Sequence, residues 1–439
     1  MISAHQKNIT QQAMEFALIS GCSAARISIL TAKNNSFEYR NTQLDKLHQS
    51  SENKIYIELF VDGRYGSVST NRIDWTEIKK LIADSIVSTR YLATDDFRQL
   101  PDSSRYYKST EDSLDLYDTS FDSLSTETKL ELLKQTIAEV YQSDNRIVSV
   151  NASYGDGCGA EYMIDSNGFE AESFDTAFSV SAEIALKTEG DARPESYWYD
   201  SSVYWIDLQK EGIAKKALER ALGKIGQKKI RSGKYNMLLD NTVSSHLLSP
   251  LISALYGSAL QQKNSFLLNK LGEKIASTKL TITDCPHIPR CFGSRWFDGE
   301  GVATYNRSII NKGILQTYFI DTYNSLKMNM TPTISSPSVL VSELGSLDFN
   351  GLIKAMGNGI WITGFNGGNC NPTTGDFSFG IEGFLVENGL ITQPVGEMNI
   401  TGNMLSLWET LEETGNDLRN NSSWRIPSLL FSSVNFSGI

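Results

Sequence analysis

The chain has 439 residues, with 40 Lys and Arg against 51 Asp and Glu, a formal net charge of −11, 40% hydrophobic residues and 21% charged residues. This composition excludes disordered, collagen-like and coiled-coil classes, and the acidic balance argues against nucleic acid as a partner, because a phosphate-neutralising binder presents a basic domain or stripe. No run approaches the ~20 apolar residues of a bilayer helix and no basic-then-apolar leader opens the chain, so the expectation is a cytoplasmic protein with no membrane association. Residues 4–20 read as a weak helix. Residues 55–61 and 64–69 alternate on either side of Asp62-Gly63, a pair that tolerates the positive φ of a tight turn, and predict a hairpin. Ile78, Leu81, Ile82 and Ile86 recur at helical spacing behind Asp74 and Glu77, which predicts a capped helix over 74–92. Leu130, Leu133, Ile137 and Val140 predict another, and Asn167-Gly168 predicts a turn between residues 162–164 and the strand-like 169–186.

Ala214, Leu218, Ala221, Leu222 and Ile225 line one face of a further helix, and the polar, Gly-bearing stretch 226–233 follows. We place the boundary there, giving an N-terminal α/β domain over 1–225 and a C-terminal, mainly antiparallel β domain over 226–439. The fold class is therefore α+β with two domains. Residues 206–231 carry Lys210, Lys215, Lys216, Arg220, Lys224, Lys228, Lys229 and Arg231 against three acids. That segment reads as the solvated face of an interdomain helix, with a DNA-facing stripe as the competing reading. In the second half a helical region spans 242–260, interrupted by Pro250, which either starts or kinks the helix. Residues 302–310 and 314–320 predict a hairpin around Asn311-Lys312-Gly313, and 384–386 with 390–392 predict another around Asn388-Gly389.

Chemistry is harder to find. A hydrolytic zinc needs about three protein ligands, commonly two histidines on one helical face. The four histidines, His5, His48, His246 and His287, are scattered. His246 reads as a helix-start or surface residue. Cys285, His287 and Cys291 are compact but lack a fourth ligand nearby, so they read as loop residues rather than a metal site, and the five cysteines read as reduced thiols. No G-x-S-x-G elbow is present, and the Gly-rich run 357–368 has neither P-loop nor dinucleotide-binding spacing. It reads as tight turns, or as a loop where backbone approaches a bound peptide. Asp298 and Glu300, and further on Asp376 and Glu382, are either general acid–base candidates or loop caps. No catalytic constellation is complete, so neither catalytic residues nor metal ligands are assigned.

Several blocks in order are nonetheless specific: Ser265-Phe-Leu-Leu268, Leu271-Gly272, Leu280-Thr-Ile-Thr-Asp284, Phe297-Asp-Gly-Glu-Gly-Val302, Ile309-Ile-Asn-Lys-Gly-Ile-Leu315, Thr374-Gly-Asp-Phe377, Gly383-Phe-Leu-Val-Glu-Asn-Gly389, Pro394-Val395 and Gly415-Asn-Asp417. Over roughly residues 235–435 they resemble the TldD/TldE family, also called PmbA or "modulator of DNA gyrase". The resemblance implies a subunit that dimerises around a cavity for an extended peptide, and a bacterial D–E pair that acts as a zinc-dependent protease on unfolded or small peptides. The D type carries H-E-x-x-x-H and a C-terminal cysteine. Counting back from Gly272 puts Leu248, Ser249 and Ser253 at those three positions, no His-Glu pair exists, and the last cysteine is Cys370. The resemblance thus implies the E type, with no cofactor of its own, zinc in a D-type partner, and a heterodimer or homodimer as the assembly. The alternatives are a self-standing homodimeric peptidase that uses Cys285, His287 and Cys291 or a metal-free mechanism, and a regulatory binding protein that touches gyrase or DNA through Lys215 to Arg231. Asp298, Glu300, Asn366, Gly367, Gly368 and Asp376, on turn-rich segments, are the expected peptide-binding residues.

Overall fold

The computed structural model describes all 439 residues, Met1 to Ile439. The first half runs α1 (Ala4–Ile19), β1 (Ala24–Arg40), β2 (Gln43–Val61), β3 (Arg64–Thr70), α2 (Trp75–Thr89), α3 (Thr126–Ala138), β4 (Ile147–Asp165), β5 (Glu170–Leu186), β6 (Glu195–Ser202) and α4 (Ile213–Gly223). Local chemistry sets several of these limits. Ser3 and Gln6 form a reciprocal capping box at α1, and the Asp74 carboxylate accepts from the Thr76 and Glu77 amides at the start of α2. Asp62 and Gly63 both take positive φ, 50° and 70°, so β2 turns directly into β3. The strands form one antiparallel sheet in the order β3-β2-β1-β4-β5-β6.

β1 pairs with β4 from Arg26↔Asp165 to Arg40↔Asn151. At ~3.3 Å per residue its 17 residues span roughly 55 Å, long enough to serve two separate cores on one face. Ile27 and Ile29 with Tyr162 and Ile164 meet Ile78 and Ile82 of α2 at one end. Phe37, Val150 and Tyr154 meet Leu133 of α3 and Ala217 of α4 at the other. The opposite face carries Arg26 and Asp165, a buried pair at 3.1 Å, and Met163. It packs on the second half through Tyr106, Phe169 and Phe297.

The second half contains β7 (Gly233–Leu239), α5 (Ser244–Ser253), α6 (Gly257–Gln261), β8 (Ile282–Asp284), β9 (Arg307–Asn311), β10 (Ile314–Leu315), α7 (Thr322–Met328), β11 (Leu340–Ser342), α8 (Phe349–Met356), β12 (Gly359–Cys370), β13 (Asp376–Glu387), β14 (Leu390–Asn403), α9 (Met404–Glu409), β15 (Leu411–Thr414), β16 (Trp424–Arg425) and β17 (Leu429–Ser437). The order β14-β13-β12-β7-β17-β15, with β14 also pairing β17, closes five strands into a barrel. A second sheet runs β10-β9-β8-β11-β16, and both share one large core that includes Leu247, Leu248, Leu251 and Ile252 of α5. Pro250 lies inside α5, which continues through it; the hydrogen bond it cannot donate leaves the His246 carbonyl without its helical partner. The hairpin expected over 302–320 is shorter than its apolar pattern, because only Ile310 and Asn311 pair with β10.

The basic segment 206–231 is largely committed to contacts within the chain. Lys210 caps the Trp205 and Leu208 carbonyls, Lys216 pairs with Glu219 and Lys229 with Glu397. Arg220 and Lys224 reach the second half, at the Thr363 carbonyl and at Glu382. No helix is long and apolar enough to cross a membrane.

Candidate functional site

A groove of about 860 Å³ lies between the halves. It is lined by β6 and α4, by α5 with the middle of β12, and by Arg419, Ser422 and Trp424. The geometry of β12 creates the opening. It pairs with β13 along its length but with β7 only over Gly359–Ile362, so from Thr363 onward one edge has no strand beside it. Two bulges reshape this stretch, and at the second Gly368 has φ 106° with the Ser378 carbonyl 2.1 Å from where a Cβ would stand. Only glycine fits there.

Helix α5 presents Ser245, His246 and Ser249 to the groove, and Ser253 faces an adjoining depression. The His246 ring stacks on Phe365, with centroids 4.2 Å apart, and meets Phe379 edge-on at 5.0 Å. Burial holds its pKa below the ordinary histidine value, and the imidazole completes a three-ring cluster in which Phe365 and Phe379 also touch each other. These residues do not fit a catalytic zinc. One imidazole and neutral hydroxyls make a poor donor set, no carboxylate stands on the same helical face as a base, and nowhere do three His, Cys, Asp or Glu side chains converge as ligands. Leu248, the first position in the sequence count, is fully buried in the barrel core and does not face the groove.

The six residues singled out in the sequence fall in different places. Asn366 lines the groove, and Gly367 and Gly368 form the adjacent bulge. Asp376 starts β13 and accepts from Thr374 and Asn403, bonds that hold its pKa below the ordinary value. Asp298 and Glu300 lie at the seam between the halves. Asp298 is buried and spends its carboxylate on the amides of Glu300, Val302 and Ser335. Glu300 accepts from the Thr322 amide and hydroxyl, both at 3.0 Å, while burial pushes its pKa up to about 7. Its backbone carbonyl accepts from Arg26. Glu382 pairs with Lys224 across the groove wall at 2.6 Å. The Cys285–His287–Cys291 loop is occupied by its own packing: His287 bonds Thr304 and lies over Trp296, and the buried Cys291 thiol meets the Phe292 carbonyl.

Three family models cover most of the chain: PmbA/TldA metallopeptidase domain 1 over residues 25–88, the central domain over 119–225 and the C-terminal domain over 232–438. The chain belongs to the PmbA/TldD family. It is 26% identical to the metalloprotease PmbA homolog of Haemophilus influenzae, over 100% of this chain and 98% of that protein. A crystal structure from Bacteroides thetaiotaomicron, described as a modulator of DNA gyrase, superposes with a TM-score of 0.98 at 56% identity and covers 100% of both chains. TldE from Thermococcus kodakarensis shares the fold, with a TM-score of 0.87 at 19% identity over 99% of this chain and all of that one.

Sequence reasoning read His246 as a helix-start or surface residue and Arg220 as part of the basic segment, without placing either in a groove, and did not single out Trp198, Phe365 or Arg419. For His246 a signal existed: His246, Ser249 and Ser253 fall on one helical face opposite Leu247, Leu248 and Leu251. For Trp198 and Arg419 there was none, because they stand 221 positions apart and only the tertiary fold brings them together.

Proposed function

We propose that this chain is the E-type, metal-free subunit of a TldD/TldE-type protease system, which holds extended peptide in its groove while a zinc-bearing D-type partner cuts. The observation that carries this reading is the donor set on the groove face of α5: a single histidine and serines where a metallopeptidase needs a ligand cluster and a base. The unpaired stretch of β12 supports the peptide role, because backbone amides and carbonyls along a free strand edge bind an extended chain through its main chain with little sequence demand. Full-length similarity to a PmbA-type relative and the TldE-like fold agree with the E type.

Elemental analysis of the purified chain, and peptide cleavage by it alone and with a D-type partner, test the reading. We expect no stoichiometric zinc and no cleavage until the partner is added. One zinc per chain, or chelator-sensitive cleavage by the chain alone, refutes it in favour of a self-standing peptidase.

A further inference from the structure

Two guanidiniums from distant segments converge on one indole inside the groove. Arg419 lies 4.6 Å from the Trp198 ring centre and Arg220 lies 5.4 Å from it. Arg220 donates to the Thr363 carbonyl at 3.0 Å and Arg419 to the Tyr199 carbonyl at 3.1 Å, so main-chain contacts aim both side chains. Neither has an acidic partner, since the groove's paired carboxylate, Glu382, is taken by Lys224. Arg419 Nη1 is buried without any hydrogen-bond acceptor. The groove holds four cations, Arg193, Arg220, Lys224 and Arg419, against three acids, in a chain whose net charge is −11.

A guanidinium that lines a groove without an acidic partner is a ready site for an anion, and a planar carboxylate matches the guanidinium fork. We propose that the Arg220–Trp198–Arg419 cradle seats a carboxylate, so that the groove selects extended peptides bearing an acidic side chain or a free C-terminus. The placement is coherent with the strand edge: Arg220 holds Thr363, the residue at which β12 loses its neighbour, so a peptide lying along that edge runs toward the cradle. This inference rests on the peptide-groove reading above.

Fluorescence anisotropy with the full-length chain tests it, using one unstructured, N-terminally labelled octapeptide in four forms: free C-terminus, C-terminal amide, amide with one internal Glu, and amide with Gln at that position. We expect a carboxylate form to bind about tenfold or more tighter than its neutral counterpart, as charge-assisted hydrogen bonds imply, with an advantage that shrinks as salt rises. Whichever carboxylate form gains identifies a terminal or a side-chain source. R419Q should narrow that ratio to under about threefold, and R419K should keep part of it, since charge survives and the fork does not. If R419Q fails to fold by circular dichroism, the four-peptide comparison on the unmodified chain still decides. Neutral and carboxylate forms binding within twofold of each other would overturn the cradle and leave the peptide groove standing. No binding by any form would remove the peptide groove, and the cradle with it.

Discussion

Glu300, whose backbone carbonyl meets Arg26 across the seam, offers a direct measure of carboxylate burial beside that seam. Its carboxylate sits in the seam against the start of α7, desolvated there, with Asp298 and Asp321 adding like charge. A solvated glutamate titrates near 4.5, whereas this one is raised to about 7. The folded chain therefore holds the proton more tightly than the unfolded chain. The stabilising contribution of protonated Glu300 is complete below about pH 4.5 and is lost as pH rises through about 7. At about 1.4 kcal/mol per pH unit, the interval between those values corresponds to about 3 kcal/mol. Glu161, Asp175 and Asp284 are also pushed up by burial and slope the same way, so the wild-type profile alone does not isolate Glu300. The E300Q substitution does, because glutamine keeps an acceptor for Thr322 and cannot ionise. Urea unfolding followed by tryptophan fluorescence, run on both proteins from about pH 5 to about pH 8, should find E300Q gaining on wild type by roughly 2 to 3 kcal/mol across that range. A difference between the two proteins that stays constant with pH would refute the argument and mean that Glu300 ionises as an ordinary surface carboxylate.

Two further outcomes follow from the groove wall. G367A should cost about 1 to 2 kcal/mol, because φ is 93° but nothing lies within 4 Å of the added methyl, whereas G368A meets the Ser378 carbonyl and should cost clearly more in the same thermal-unfolding measurement. Equal costs would mean that the second bulge relaxes freely. Lys224 and Glu382 are each mostly buried, with side chains 18% and 16% exposed, so a double-mutant cycle of K224M and E382Q should return a coupling of about 1 to 2 kcal/mol. Additive effects would refute a paired wall.

Where local chemistry decides structure, the sequence could be read directly. Asp62-Gly63 and Asn388-Gly389 turn where their backbone tolerance predicts, and Asp74 caps the helix expected behind it. Residues 43–54 of β2 alternate no apolar side chains, because they are exposed and lie beyond the reach of β3, so strand periodicity had no buried face to reveal it. The seam acids illustrate a different limit. Asp298-Gly-Glu300 reads equally as a pair of free carboxylates or as a braced turn, and only the amides of Val302, Thr322 and Ser335 converging on it distinguish the two. Apart from the Gly-rich turn that carries Asn366, the groove was illegible, since its walls come from residues near 198, 220, 246, 363 and 419, and long-range packing leaves no local pattern.

Domain 1 and the central domain are separate segments of the chain, 25–88 and 119–225, yet β1 belongs to the first and β4 to the second, and they zip together over most of their lengths. Neither segment can release its share of the ladder without stripping the other of paired amides. The two should therefore melt as one cooperative unit, with slow hydrogen exchange at the centre of β1 and β4 lost in a single step, and isolated expression of either segment should yield an incomplete sheet.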